Sequence, residues 1–208
     1  MLNWLRKSKT ASPKPLVEDK STTPLYLDVL AFADVHSRPL ILPDVQPDVV
    51  LVLGDISRED LQTIDKRYEH SVKLGVLGNH DRPHFFDGTT IRNLHETITT
   101  VCDVNFAGFG GVPRYSDKSY GQYTEAEAML FLRDLERVDV FITHSNPRRE
   151  DRPDLLEYEP RAGFASFTEY IQRVKPRHVF HGHIHEQEDY KIGETTVHSV
   201  FGTHQFSL

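Results

Sequence analysis

Twelve of the 208 residues are histidine, an excess of the side chain that most often carries protons or holds metal ions. Several sit in short polar blocks: Asp34-Val35-His36, Gly54-Asp55, Gly78-Asn79-His80-Asp81, Thr143-His144 and His181-Gly182-His183-Ile184-His185. Any one block alone reads as a turn or a cap, because Asp, Asn and Gly are the usual turn residues. As a set they read as a ligand constellation. Aspartate, histidine and a neutral amide suit borderline divalent ions such as manganese, iron, zinc or nickel. The set holds no thiolate and is too rich in nitrogen for calcium. Seven candidate ligands are too many for one ion, so two ions sharing a bridge are expected. Two ions about 3.5–4 Å apart can clamp the attacking and leaving oxygens of an in-line displacement. Balanced by Asp34, Asp55 and a bridging hydroxide, two divalent ions leave a local charge of about +1. An acidic chain can thus still hold a phosphate-binding pocket.

The blocks fall where strands should end. Residues 25–33, 48–53, 71–77, 104–109, 138–143 and 178–181 read as strands. The 48–53 run, DVVLVL, is the continuous apolar type expected of a strand buried on both faces. Residues 58–69 carry Leu61, Ile64 and Tyr68 at helical spacing. Residues 124–136 open with a Thr124–Glu127 capping-box pattern, and residues 166–174 form a third helix, stopped by Pro176. Residues 190–192 and 195–200, around Gly193-Glu194, read as a closing hairpin. Strands alternating with helices imply an α/β protein. In open α/β sheets ligands bind at the carboxyl ends of strands, and five strand ends here carry Asp, Asn or His.

Composition narrows the classes. The net charge of −7 argues against general nucleic-acid binding, which needs a basic face. A single cysteine, Cys102, excludes an intramolecular disulfide and a multi-cysteine zinc knuckle, and is read as a reduced core residue. No apolar run approaches the roughly 18 residues of a spanning helix. Residues 1–23 carry Arg6, Lys7, Lys9, Lys14 and Lys20 with Pro13 and Pro15 and read as a flexible basic tail ahead of one domain over 24–208. Leu2, Trp4 and Leu5 ahead of Arg6 and Lys7 make a poor signal peptide, so a cytoplasmic location is expected. They could dock the chain on a protein partner. Oligomeric state is not legible.

Taken together, the blocks resemble the signature of the calcineurin-like metallophosphoesterase superfamily. With Phe106-Ala107-Gly108-Phe109-Gly110-Gly111 between the third and fourth blocks, the compact chain is most similar to the small Icc-related phosphoesterases. The resemblance implies a four-layer α/β/β/α sandwich with two mixed β-sheets between helices. It implies that Asp34, His36 and His185 hold a first metal, that Asn79, His144 and His183 hold a second, and that Asp55 bridges them. It places His80 beside the leaving-group oxygen, to protonate it or to stabilise the phosphoryl oxygens, with Asp81 orienting His80. Two departures stand out. Some members carry an arginine four residues after the bridging aspartate, whereas Arg58 comes three after Asp55. The fourth block continues as Ser145-Asn146-Pro147-Arg148-Arg149, which puts two basic residues near His144. Arg58, Arg148 and Arg149 are therefore candidate substrate contacts, with a solvated cluster of Glu150, Asp151 and Arg152 as the alternative for the latter two. No large insertion separates the blocks, so the site should be open.

His181 is read as a buried, hydrogen-bonded histidine. His70, His84, His95, His178, His198 and His204 are read as surface or structural. Arg114 and Tyr115 could approach the substrate or form a plain loop. The expected activity is hydrolysis of small phosphate esters, diesters ahead of monoesters, by attack of a metal-bridging hydroxide. A phosphomonoesterase and a non-catalytic metal-bound scaffold are the alternatives.

Overall fold

The apolar runs of the sequence become the interior strands of two sheets. The computed structural model describes residues 27–208, so the tail read over 1–23 lies outside the described residues. The strands are β1 (Asp28–Ala33), β2 (Val49–Val52), β3 (Val72–Gly75), β4 (Arg92–Asn93), β5 (Thr97–Val101), β6 (Val104–Phe109), β7 (Val112–Pro113), β8 (Gln122–Tyr123), β9 (Val140–Thr143), β10 (His178–His181), β11 (Glu188–Ile192), β12 (Thr195–Ser199) and β13 (Gly202–Ser207). The helices are α1 (Arg58–Arg67), α2 (Glu125–Arg133), α3 (Pro153–Leu156) and α4 (Ala165–Val174). One sheet has the order β13-β1-β2-β3-β4 and the other β11-β12-β10-β9-β6-β5. Both are mixed: β1, β2, β3 and β4 run parallel, as do β6, β9, β10 and β12, while β13, β5 and β11 are antiparallel additions.

Strand alternation assigns each face. Val29, Ala31, Val49, Leu51 and Leu74 of the first sheet pack against Phe106, Val140, Ile142 and Phe180 of the second. Leu30, Phe32, Val50 and Val52 turn the other way, onto Leu61, Ile64 and Tyr68 of and beside α1. Ala107, Phe109, Phe141 and Val179 pack on Leu132 of α2 and on Phe167, Tyr170 and Ile171 of α4. The result is the expected four layers. Each large side chain taken from water this way contributes about 1.5–3 kcal/mol.

The helix ends follow the sequence signals. Ser57 caps α1 by accepting the Asp60 N–H, and Thr124 and Glu127 close a capping box on α2. Lys175, in a left-handed conformation, ends α4 just before Pro176.

Two features differ from the sequence reading. Residues 97–101 form a hairpin with β6 across Cys102 and Asp103, both at positive φ. Cys102 is therefore exposed at a turn and is not a core residue. Residues 202–207 add an edge strand to β1. Its half-polar sequence, GTHQFS, hid it, since only Phe206 and Leu208 pack on the core between the sheets.

Candidate metal centre

All five polar blocks lie just past carboxyl ends of parallel strands: Asp34 after β1, Asp55 after β2, Asn79 after β3, His144 after β9, and His183 and His185 after β10. The first three strands belong to one sheet and the last two to the other, so the site forms where the two sheets meet. Hydrogen bonds cross that joint. His144 Nδ1 lies 2.7 Å from the Leu53 carbonyl, and the His183 N–H donates to Asp34 Oδ2 at 2.7 Å. Since a carbonyl only accepts, His144 carries its proton on Nδ1 and can turn the Nε2 lone pair into the site. His183 Nε2 meets the Pro160 carbonyl at 2.8 Å, which leaves Nδ1 as its free lone pair.

Backbone conformation aims these side chains. Asp34, Asp55, His183 and His185 all have positive φ (54°, 56°, 70° and 59°), four of the eight such non-glycine residues among the described residues. That conformation costs about 1–3 kcal/mol each and concentrates at functional sites. Close approach explains two of the block glycines. A Cβ on Gly182 would lie 2.6 Å from Asp34 Oδ2, and one on Gly78 would overlap Asp55 Oδ1.

The donor atoms converge. Asp34, His36 and His185 each offer a ligand atom within 4.8 Å of one another, as do Asp34, Asp55 and His144. Asp34 Oδ1 is 3.5 Å from His185 Nε2, Asp55 Oδ2 is 3.5 Å from His144 Nε2, and Asn79 Oδ1 is 3.1 Å from His144 Nε2. Ligands about 2.1 Å from one ion, at right angles, would be about 3 Å apart, close to these spacings. The His183 ring centroid is 5.1 Å from that of His144. The strongest sign of a cation is Asp34 Oδ1, a buried carboxylate oxygen with no hydrogen-bond partner among the described residues. A buried carboxylate oxygen that accepts no hydrogen bond is costly, and a bound cation would offset that cost.

Burial opposes ionisation of Asp55, but His144 and His80 beside it hold its carboxyl well below the usual range. Burial likewise opposes a charge on His144, yet Asp55 and Asp34 push it up to about 9. A proton on that imidazole takes the place a cation would occupy. Burial, helped by His144, drives His183 down to about 3. His80 is the exposed member: 63% of its side chain is accessible, its N–H donates to Asp55 Oδ1 at 2.8 Å, and its Nε2 lies 3.9 Å from Asp55 Oδ2.

Asp81 does not orient His80. Its Oδ2 accepts the backbone N–H groups of Asp55 (2.8 Å) and Gly78 (2.7 Å), and its Oδ1 that of Ile56 (3.2 Å). A buried carboxylate here is drawn to the unpaired main-chain donors of two strand-end loops. Burial and the neighbouring Asp55 charge push it up to about 6. The three candidate arginines are engaged elsewhere. Arg58 donates to the Asp87 carbonyl, Arg148 pairs with Glu150, and Arg149 pairs with Asp151 and Glu188 over the Tyr190 ring. His181 is fully buried, with Nδ1 on the Gly182 carbonyl and Nε2 on the Tyr190 hydroxyl.

Two features escaped the sequence reading. The loop between β7 and β8 leans on Asn79: the Lys118 ammonium donates to the Asn79 carbonyl at 2.5 Å, and Asn79 Nδ2 donates to the Tyr115 hydroxyl at 3.4 Å. Phe201 stacks on His185, with centroids 4.9 Å apart and planes 2° from parallel, and the Arg38 guanidinium lies 3.6 Å from the same ring's centroid. Arg38 follows His36 by two residues, a signal that was available. Phe201 and Lys118 lie far from their partners in sequence and gave none.

The chain is similar to several known proteins at a distance. The chain is 26% identical over 191 residues to an uncharacterized protein of Methanocaldococcus jannaschii, covering 83% of this chain and 87% of that one. It is 25% identical over 197 residues to the UPF0046 protein K07C11.7 of Caenorhabditis elegans, covering 78% and 64% respectively. Among solved structures, TT1561 of Thermus thermophilus superposes with a TM-score of 0.56 at 17% identity, over 84% of this chain and 89% of the other. The phosphopantetheinyl hydrolase of Mycobacterium tuberculosis gives 0.59 at 14% identity, over 83% and 89%. Both share the fold. No helix among the described residues is long and apolar enough to cross a membrane. The sequence pattern of the calcineurin-like phosphoesterases matches residues 27–187, five strand-end blocks included, and the chain belongs to that family.

Proposed function

We propose that the chain is a metal-dependent phosphoric ester hydrolase that prefers diesters to monoesters. The observation that supports this best is the buried pair Asp34 and Asp55, gathered with His144 at the joint of the sheets, with one Asp34 oxygen left without a partner. Asp34, His36 and His185 would hold one divalent cation, Asn79, His144 and His183 a second, and Asp55 would serve both. Manganese is the proposed metal, with iron, zinc or nickel as alternatives. Such cations supply Lewis acidity toward phosphoryl oxygens and a water acidic enough to attack phosphorus near neutral pH.

The chain's own groups do the rest. The exposed His80 imidazole, beside Asp55, gives its proton to the leaving oxygen or donates to a phosphoryl oxygen. Asp81 fixes the main chain of both loops that carry Asp55 and Asn79. The engagement of Arg58, Arg148 and Arg149 favours diesters. A monoester brings two negative charges where a diester brings one, and each of those guanidiniums already has a partner outside the site. Substrates are small phosphoesters taken from the cytoplasm. A protein partner would meet residues 1–23.

The test is hydrolysis of bis-p-nitrophenyl phosphate against p-nitrophenyl phosphate by protein stripped of metal and reloaded with manganese. Faster, metal-dependent diester turnover is expected. His80→Ala should keep both metals and lose turnover by about 10²–10⁴-fold. Faster monoester turnover would replace the diester preference. Two bound metals with no turnover on either ester would favour a metal-bound scaffold.

A further inference from the structure

We infer that Arg38 is a specificity-determining residue, which receives a second anionic group such as a phosphate, borne by the substrate beyond the ester that reacts. The inference rests on the proposed hydrolase reading. Arg38 ends the short turn that carries His36, its N–H donating to the Val35 carbonyl at 2.9 Å. Its guanidinium lies on Phe201, 3.6 Å from the ring centroid, and Phe201 in turn lies parallel to His185. The Phe201 N–H donates to Gln187, two residues beyond His185. That ring therefore ties the arginine to His185, a candidate ligand of the first cation, while the chain ties it to His36.

Three properties suit Arg38 to an anion. Among the described residues no carboxylate lies within 4.0 Å of its guanidinium, unlike Arg148 and Arg149. A guanidinium lying on a ring keeps its in-plane N–H groups pointing outward, where they can meet two oxygens at once. The side chain is exposed at the same open rim as His36 and His80. The anion it meets is set off from the reacting phosphorus by the breadth of the Phe201 and His185 rings. It is thus a separate group on the substrate and not the ester itself.

A matched chromogenic pair tests this: the p-nitrophenyl ester of thymidine 5′-phosphate, with and without a 3′-phosphate. Manganese-loaded wild type should show a KM about tenfold lower for the ester that carries the extra phosphate, the size of one charge-assisted contact at an exposed site. Arg38→Gln should erase that difference by raising the KM of the 3′-phosphorylated ester to that of the plain one. Arg38→Lys should keep part of it. Calorimetric binding of thymidine 3′,5′-bisphosphate, which needs no turnover, should weaken by a similar factor in Arg38→Gln. The inference is overturned if wild type shows no preference for the 3′-phosphate, if Arg38→Gln keeps it, or if bisphosphate affinity is unchanged. Failure of the hydrolase reading looks different: wild type would cleave neither ester, while the calorimetric arm would still report on Arg38.

Discussion

The side chain of Asp81 holds the main chain of Asp55: its Oδ2 accepts the Asp55 N–H at 2.8 Å and the Gly78 N–H at 2.7 Å. Two loops that carry candidate ligands are thereby pinned by one buried carboxylate. Asp81→Asn would turn an amide N–H toward main-chain donors or leave them unpaired. The variant should be less stable by about 2–4 kcal/mol, the cost of losing charged acceptors for buried N–H groups. Urea unfolding measures it. The pH profile of turnover should keep its shape, because the Asp81 oxygens do not meet His80. A shifted profile with wild-type stability would instead reinstate Asp81 as the residue that orients His80.

Asp55 stands between His144 and His80, with Oδ2 3.5 Å and 3.9 Å from their Nε2 atoms. Asp55→Asn keeps one oxygen and the shape but removes the charge that both cations would share. Bound manganese should fall from two equivalents toward one, and hydrolysis should disappear. Elemental analysis of the purified variant is sufficient. Two retained equivalents would show that Asp34, which is also within reach of both ligand groups, carries the bridging role.

Lys118 reaches 39 residues back along the chain to the Asn79 carbonyl, and Gly121 on the same loop lies flat against Asn79. Buried Gln122 shapes this loop by accepting the Tyr115 and Ser116 N–H groups. Lys118→Met should therefore loosen Asn79 and weaken the second manganese equivalent by about tenfold, as expected for a residue that positions a ligand from behind. The first equivalent should be unaffected. A manganese titration with two unaltered affinities would reduce the loop to a cover over the strand end.

The place of the candidate ligands was legible because their blocks are written at strand ends, where short-range grammar is strong. DVVLVL announces a buried strand, and the polar Gly54-Asp55 that follows must sit at its carboxyl end. The layers followed from the same alternation. What escaped depends on long-range partners. Nothing near Asp81 in sequence says that its acceptors will be used by Asp55 and Ile56 from the neighbouring strand's loop. The Cys102-Asp103 turn lacks the glycine or asparagine that usually marks a tight hairpin, so its strand went unread. Arg148 and Arg149 sit close to His144 in sequence, yet Glu150, Asp151 and Glu188 claim them in space.

At the other end of β10 a second set of imidazoles has no part in the site. His178 Nδ1 lies 3.1 Å from His198 Nε2, whose Nδ1 lies 2.9 Å from Asp189 Oδ1, and the two rings stack 5.3 Å apart. Burial lowers the pKa of both imidazoles, and with both neutral the three groups are satisfied when His178 donates to His198 and His198 to Asp189. Burial, the His198 imidazole and the nearby Arg177 push His178 down to about 4. Its folded value is thus below the roughly 6.5 of an unfolded chain. Between those values the unfolded chain takes up the proton and the folded one does not. The contribution of neutral His178 is therefore fully present above about pH 6.5 and is lost as pH falls toward 4. Unfolding free energy measured in urea from pH 7.5 to pH 4.5 should decline in wild type. It should decline less steeply in His178→Gln, whose amide can still donate to His198 but does not titrate. Burial also lowers the pKa of His95, His181 and His183, which contribute to the slope in both proteins, so the difference between the two curves reports the coupled His178–His198 pair. Parallel curves would mean that folding does not lower the proton affinity of His178.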